Sequence, residues 1–235
     1  MSVAFDGLKE DHYRIGDLQA LRYERNTPPF YDGFLAKIYT LCRESKRRSG
    51  DGILTATFGN NPASNFDSIM QFLAARPLIV LGEWRGEEFH EAGFAFPVVA
   101  CGSKDTELSQ FAGFGMFRKY WGTEELPVLA MLGLTYMFAE WDLKAIHGTR
   151  FEDNLLTARF MAQFGFREDG FIPKYQLRDG KLVGAVVSTL LREDFEAYVE
   201  RWLLEQFQSD EVEAEPEPEV EPKKEDPPQM NLAWL

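Results

Sequence analysis

A basic residue, a glycine and a hydroxyl precede an apolar stretch in the segment Lys119-Tyr120-Trp121-Gly122-Thr123-Glu124. Such a segment can bind phosphate, because a helix N-terminus attracts anions and a glycine lets the backbone approach an oxyanion closely. Glu124 and Glu125 oppose this chemistry, since two like charges at contact distance cost about 1 kcal/mol in water and more in a partly dry site. Pro127 also has no amide to donate. The carboxylates of Glu124 and Glu125 would therefore weaken the binding of any anion at the start of the helix that follows.

Side chains that could transfer protons are scattered along the chain. A carboxylate, imidazole, phenol or hydroxyl can act as a general acid or base when a substrate lies within hydrogen-bond reach. His147 can equally be a strand histidine bonded to a neighbour, and Glu107 can belong to a solvated turn. Tyr175 and Ser188 can face water on an antiparallel sheet. The catalytic candidates are Glu107 or Ser109, His147, Tyr175 and Ser188.

Hydrophobic periodicity predicts alternating strands and helices that would position these residues. Strands are predicted at 12–18, 77–84, 89–100, 108–117, 143–149, 166–177 and 182–191, with tight turns at 85–88 and 178–181. Helices are predicted over most of 21–47 and at 64–76, 123–141, 154–165 and 193–207. The resulting fold class is α/β, with a mostly antiparallel sheet flanked by helices.

Composition indicates a folded chain and excludes several classes of protein. The 235 residues are 45% hydrophobic and 14% aromatic, which is enough for a buried core. There is no basic stripe that would follow a phosphate backbone, and no apolar run long enough to span a membrane, so neither nucleic acid nor a membrane is an expected partner. Cys42 and Cys101 are too few for a disulfide framework or a metal site, and the N-terminal residues do not resemble a signal peptide. The cytoplasm is the expected location.

The charge distribution predicts three segments. The net charge is −13, and nine acidic residues against two lysines between Asp210 and Asp226 contribute −7 of it. Glutamate and proline alternate there, which predicts a folded domain at 1–207 followed by a disordered linker at 208–229. The last segment, 230–235, contains Met230, Leu232, Trp234 and Leu235, and we expect it to bind a protein partner or to fold back onto the domain.

The run from Asn154 to Arg167 resembles a helix and strand of the GNAT acetyltransferases. Asn154 or Asp153 can cap the helix, and Gly165 suits its left-handed C-terminal position. The family places Asn, then Ser or Thr, a Leu-rich turn and Gly-Phe-Arg along this run, as do Asn154, Thr157, Phe160, Met161, Phe164, Gly165, Phe166 and Arg167. The resemblance covers roughly residues 13–192. It is strongest to the branch that modifies ribosomal-protein alanines, and it suggests a phage-encoded member.

The resemblance implies where acetyl-CoA and the reacting groups would lie. In this fold acetyl-CoA occupies a splay between two parallel strands, and its pyrophosphate meets the loop before the next helix. The implied cofactor-binding residues are Phe117, Lys119, Gly122, Thr123 and Asn154. Glu124 stands where the family has a second glycine, and we therefore expect acetyl-CoA to bind weakly.

The catalytic positions of the family are also changed in this chain. Met161 stands where the family often has a tyrosine that acts as the general acid for the leaving thiolate. Gly184 and Ser188 stand where the branch has Asp and Tyr. Two functions are then open. The first is an acyl-CoA-dependent N-acyltransferase, in which a neutral amine attacks the thioester directly. The second is a degenerate GNAT-fold protein that does not bind CoA and acts in interactions, such as phage assembly or contact with a host protein.

Overall fold

The computed structural model describes residues 13–23, 33–34, 37–38, 77–97, 109–178 and 181–213. Strands β1 to β8 are Arg14–Ile15, Leu18–Arg22, Ile79–Arg85, Glu88–Pro97, Ser109–Met116, Ala145–Phe151, Arg167–Arg178 and Lys181–Leu191. Helices α1 to α3 are Glu125–Glu140, Leu155–Gln163 and Arg192–Glu213, and a short 3-10 turn covers Arg118–Tyr120. The mixed α/β architecture confirms the predicted fold class.

The eight strands form one sheet in the order β1-β2-β3-β4-β5-β6-β8-β7. Every neighbouring pair is antiparallel except β5 and β6, which run parallel. Arg85 pairs with Glu88 across a two-residue turn, where Gly86 has φ of +65°. The predicted hairpin is therefore confirmed, and a glycine supplies the positive φ that such turns require. The second predicted hairpin is also present, since Arg178 pairs with Lys181.

The N-terminal segment departs from the single strand and following helix predicted at 12–18 and 21–47. The chain instead turns at Gly16, where φ is +56°, and Leu18–Arg22 pairs along its length with β3. Leu21 and Arg22 are thus strand residues, because pairing with a distant strand outweighs their local helix propensity. Gly33, Phe34, Lys37 and Ile38 are helical as predicted. The rest of 24–47 and the predicted helix at 64–76 lie outside the described residues.

Helix α1 packs across one face of the sheet and forms the centre of the core. It is apolar nearly all round, and nine of its residues are buried, as expected for a helix covered on several sides. Gly133 allows the close approach, since a Cβ there would lie 3.1 Å from the Leu81 side chain and 3.7 Å from Phe114. On the other face Phe94 and Phe96 stack with centroids 6.0 Å apart. Both faces of the central strands are therefore buried.

Helix α2 has the predicted start and end. The Thr157 amide donates a 3.1 Å hydrogen bond to the Asn154 side chain, which caps the helix, and Gly165 has φ of +93°. Helix α3 then joins the core, since Phe195 stacks on Phe138 with centroids 5.3 Å apart. It continues to Glu213, beyond the predicted end at 207. Residues 214–235 lie outside the described residues, and no described helix is both long enough and apolar enough to cross a membrane.

Candidate functional site

Strand β5 changes partners halfway along its length. Residues 109–111 pair with 145–147 of β6, whereas 112–116 pair only with β4. Beyond His147, β6 pairs only with β8. The two parallel strands therefore separate after Phe111, and within the described part of the chain no strand pairs with the β6-facing edge of β5 over 112–116. This opening is the splay that the sequence resemblance implied.

Two helix N-termini flank the opening. Because β5 and β6 are parallel, their C-terminal ends lie at the same end of the sheet. β5 leads through residues 117–124 into α1, and β6 leads through 152–154 into α2. The N-terminus of a helix carries a partial positive charge and free amides. The arrangement can thus hold an extended chain along the β5 edge and an anionic group at its end.

The loop from Phe117 to Glu124 is tied to the sheet at several points. The Phe117 amide donates to the Ala92 carbonyl at 2.7 Å, and the Tyr120 hydroxyl donates to the Glu83 carboxylate at 2.7 Å. The Trp121 indole is 57% exposed, although its N–H donates to the Met116 carbonyl at 2.9 Å. Gly122 has φ of +77°, and a Cβ there would have nothing within 4 Å. The backbone beside Gly122 is therefore open to a ligand.

The first turn of α1 is occupied by its own carboxylate. Hydrogen bonds from the Thr123 side chain and from the backbone amide of Glu125 itself lower the pKa of the Glu125 carboxyl. The Thr123 hydroxyl also lies 3.0 Å from the Tyr120 carbonyl, so it can serve either acceptor. Glu124 is the N-cap residue, is exposed and makes no side-chain cap bond. Glu125 therefore competes most directly with an anionic ligand, whereas the sequence had pointed to Glu124.

Lys119 lies in a charged cluster beside the loop. Burial and the nearby Arg85 charge lower the pKa of the Lys119 ammonium, while Glu83 opposes this shift. Arg85 forms an ion pair with Glu83. Partial burial raises the pKa of Glu83, but hydrogen bonds from Tyr120 and Arg85, with the charges of Arg85 and Lys119, outweigh it and leave the pKa lowered. Part of the positive charge near the loop is thus neutralised by the protein.

Met161 reaches from α2 onto β6 within the separated region. A Cβ on Gly148 would lie 2.6 Å from the Met161 methyl carbon. Gly148 is the first β6 residue beyond the pairs with β5. The position where the family often carries a tyrosine therefore points at the opening, but here it holds a thioether that cannot donate a proton.

The catalytic candidates do not converge on one point. The His147 ring is half-buried and lies 2.7 Å from the Thr189 hydroxyl, and His147 is the last β6 residue paired with β5. Ser188 is only 2% exposed and pairs with Gly148, so it lies on the α2 face, opposite to His147, and does not face water. Tyr175 is 44% exposed and lies near Val183. Val183 is roughly 20 Å along β8 from Thr189, the residue that pairs with His147. Glu107 lies outside the described residues, and Ser109 is described only as a paired residue of β5.

The cofactor candidates lie together at the C-terminal ends of β5 and β6. Phe117, Lys119, Gly122 and Thr123 belong to one loop, and Asn154 stands at the end of the neighbouring strand. Sequence reasoning missed Glu83, Arg85 and Tyr120, which hold this loop against β3. A tyrosine and a charged pair 37 residues apart give no local signal in the sequence, because only the sheet brings them together.

Comparison with known proteins gives a structural match and no sequence match. No family model and no curated protein matches this chain. The spermidine N-acetyltransferase of Vibrio cholerae, in complex with CoA and spermine, matches with a TM-score of 0.60 at 16% identity, over 76% of this chain and 98% of that chain. A protein of Acinetobacter baylyi ADP1 assigned as an acetyltransferase matches with a TM-score of 0.58 at 16% identity, over 75% and 93%.

A third solved structure agrees with these two. A protein assigned as a phosphinothricin N-acetyltransferase matches with a TM-score of 0.54 at 15% identity, over 74% of this chain and 98% of that chain. Identities this low establish a shared fold and leave the reaction open. The separated parallel strands, the helix order and these structural matches agree that the chain has the fold of the GNAT acetyltransferases.

Proposed function

We propose that this protein is an acyl-CoA-dependent N-acyltransferase that acetylates an amine of a protein or small molecule. The observation that carries this proposal is the free edge of β5 over 112–116, which leads directly to Gly122 and the N-terminus of α1. Backbone amides along such an edge can bind an extended, amide-containing chain. Acetyl-CoA supplies a thioester at the end of a chain of this kind.

The residues fit acetyl-CoA unequally along its length. The β5 edge and the capped start of α2 at Asn154 suit the pantetheine arm. Lys119 and the open backbone at Gly122 suit the pyrophosphate, but Glu125 already occupies an amide of the first turn of α1. Pro127 removes a second amide from that turn. We infer that acetyl-CoA binds through its pantetheine arm with a weakened phosphate contact.

Transfer requires a C–N bond to form as the C–S bond breaks. The attacking amine must lose a proton and the departing thiolate must gain one. We infer that His147, where β5 and β6 begin to separate, accepts the amine proton directly or through water. No proton donor for the thiolate stands at Met161, so we expect slow turnover, with water as the donor.

Binding and transfer should be measured separately. Calorimetry with acetyl-CoA tests the opening, and release of free CoA thiol with a polyamine or a peptide N-terminus tests the reaction. We expect binding near millimolar acetyl-CoA and slow thiol release that requires an amine. His147→Gln should lower kcat and leave the KM for acetyl-CoA within about twofold, since a proton acceptor acts after binding. Thiol release that does not depend on amine would contradict the reaction.

One observation favours the second function, a GNAT fold that does not bind CoA. Glu125 provides the anion that would otherwise come from the ligand. If neither the native chain nor Glu125→Gln binds acetyl-CoA at several millimolar, the N-acyltransferase proposal is wrong and the interaction function is favoured.

A further inference from the structure

An apolar surface lies on the outer hairpin of the sheet. Phe171, Tyr175 and Leu182 are 53%, 44% and 56% exposed. The Phe171 ring covers Gly184, with a ring carbon 2.3 Å from where a Cβ on that glycine would lie, so Phe171 shares a face with Gly184 and Leu182. Tyr175 precedes Gln176, which pairs with Val183, and alternation therefore places Tyr175 on the same face. We call these three residues the hairpin patch.

The patch borders the edge of the sheet. β7 is the last strand in the order, and among the described residues no strand pairs with its outer side. An edge strand with adjacent exposed apolar side chains favours contact with another segment. The patch thus has the properties of a surface that another chain segment covers.

Charge indicates which segment covers it. The hairpin from Phe171 to Gly184 carries three basic residues, Lys174, Arg178 and Lys181, against one acidic residue. Beyond α3, residues 214–229 contain six acidic residues and two lysines, a net charge of −4, and they lead to Met230, Leu232, Trp234 and Leu235. An acidic tether with an apolar end is therefore complementary to a basic hairpin with an apolar face.

The tether is long enough to reach the patch. Leu182 lies nine residues before the end of β8, or roughly 30 Å along the strand, and α3 adds roughly 33 Å. Even if strand and helix were collinear, the separation would be about 63 Å. Residues 214–235 span up to about 68 Å at about 3.1 Å per residue in the extended form that proline favours. The distance therefore permits binding within one molecule.

We propose that residues 230–235 bind the hairpin patch of the same molecule, with Trp234 as the central contact and the acidic linker over the basic side chains of the hairpin. This binding does not depend on the proposed acyl transfer. It gives the apolar segment a place on this chain rather than on a partner protein.

Photo-crosslinking of the full-length chain tests the proposal. Benzoylphenylalanine at position 234 should crosslink within the same molecule, and mass spectrometry should place the crosslinks at 171–186. Leu182→Ser should lower their yield at least about fivefold, because a central apolar contact carries much of the energy of a small interface. Ile172→Ser is the matched control, since Ile172 is 42% exposed but lies next to Phe171, on the other face. It should leave the yield unchanged.

Charge gives an independent measurement. Lys181→Glu should lower the yield, and so should salt at about 0.5 M, where screening shortens the range of electrostatic attraction to about 4 Å. Circular dichroism of each variant should match the native chain. Crosslinks outside the hairpin, crosslinks only between two copies, or equal losses with Ile172→Ser and Leu182→Ser would overturn the proposal.

Discussion

The Tyr120 hydroxyl donates a 2.7 Å hydrogen bond to the Glu83 carboxylate, which joins the loop before α1 to strand β3. Tyr120 is only 5% exposed, and burial with this hydrogen bond raises the pKa of its phenol well above the usual range. The phenol therefore keeps its proton, and stays a donor, at neutral pH. The bond fixes the loop that we propose as the pyrophosphate site.

Tyr120→Phe should lower the free energy of unfolding by about 1.5 kcal/mol, because it removes a hydrogen bond to a charged acceptor. Urea denaturation measures this change. Tyr175→Phe is the control, since it removes a hydroxyl from an exposed tyrosine and should change the free energy by less than about 0.5 kcal/mol. Equal effects of the two substitutions would show that the Tyr120 bond contributes nothing specific.

Glu83 should contribute more to the free energy of unfolding at neutral pH than at acidic pH. The pKa of Glu83 is lowered in the folded protein, so its charged form is favoured by folding. That stabilisation is complete above the unfolded pKa, about 4.3, and is lost as the pH falls through the lower folded value. The difference in unfolding free energy between the native chain and Glu83→Gln should therefore shrink between about pH 5 and pH 3. A difference that grows on acidification would contradict the assignment.

Glu125→Gln should tighten acetyl-CoA binding by roughly fivefold, because it removes a like charge of about 1 kcal/mol from the proposed pyrophosphate contact. In the native chain, acetyl-CoA at its Kd adds about 0.4 kcal/mol of stability, and the variant should show a larger rise in Tm. Glu124→Gln is the matched control and should have the smaller effect, since Glu124 makes no cap bond. The reverse ranking would mean that Glu124 faces the ligand.

Asn154 has a structural role and a proposed binding role that can be separated. Asn154→Ala should cost about 1 kcal/mol of stability through loss of the α2 cap, whereas Asn154→Asp should retain the cap. If the amide also donates to acetyl-CoA, Asn154→Asp should still raise KM, because a carboxylate has no hydrogen to donate. Denaturation and steady-state kinetics on both variants test this. If Asn154→Asp has the same KM as the native chain, Asn154 acts only as the cap of α2.

Met161→Tyr should raise kcat for acetyl transfer at least about tenfold, because it places a proton donor beside the opening at Gly148. Met161→Phe is the control, since it adds the ring without the hydroxyl and should not raise kcat. Thiol release measures both variants. Equal rates would show that a donor at this position does not limit the reaction.

The sequence predicts most of the fold where the signal is local. Asn154 and Gly165 define the two ends of α2, and turn residues define both hairpins. The helix predicted over 21–47 was wrong at Leu21 and Arg22, because their strand state depends on pairing with β3, more than 50 residues away. Length and apolar pattern also did not show that α3 continues to Glu213.

The candidate site was predictable only in outline. The loop with Gly122 could be found from the family resemblance, because Lys119 and Gly122 match two positions of the family's phosphate-binding motif. The role of Glu125 could not be predicted. Glu124 and Glu125 are neighbours in the sequence, and only the geometry of the helix start determines which of the two side chains reaches the helix amide. The contact between Met161 and Gly148 joins a helix to a strand and likewise depends on tertiary packing.

The partner change within β5 leaves a short junction between the two parts of the sheet, and we expect these parts to open as separate units. Among the described residues, three pairs join β5 to β6, namely Ser109–Ala145, Gln110–Ile146 and Phe111–His147. This is fewer than the pairs that join β3 to β4 or β6 to β8. Amide hydrogen exchange should therefore show β6, β7 and β8 opening at a lower free energy than β3 and β4. A molecule bound along the free edge would complete the interrupted ladder, and the two units should then exchange as one.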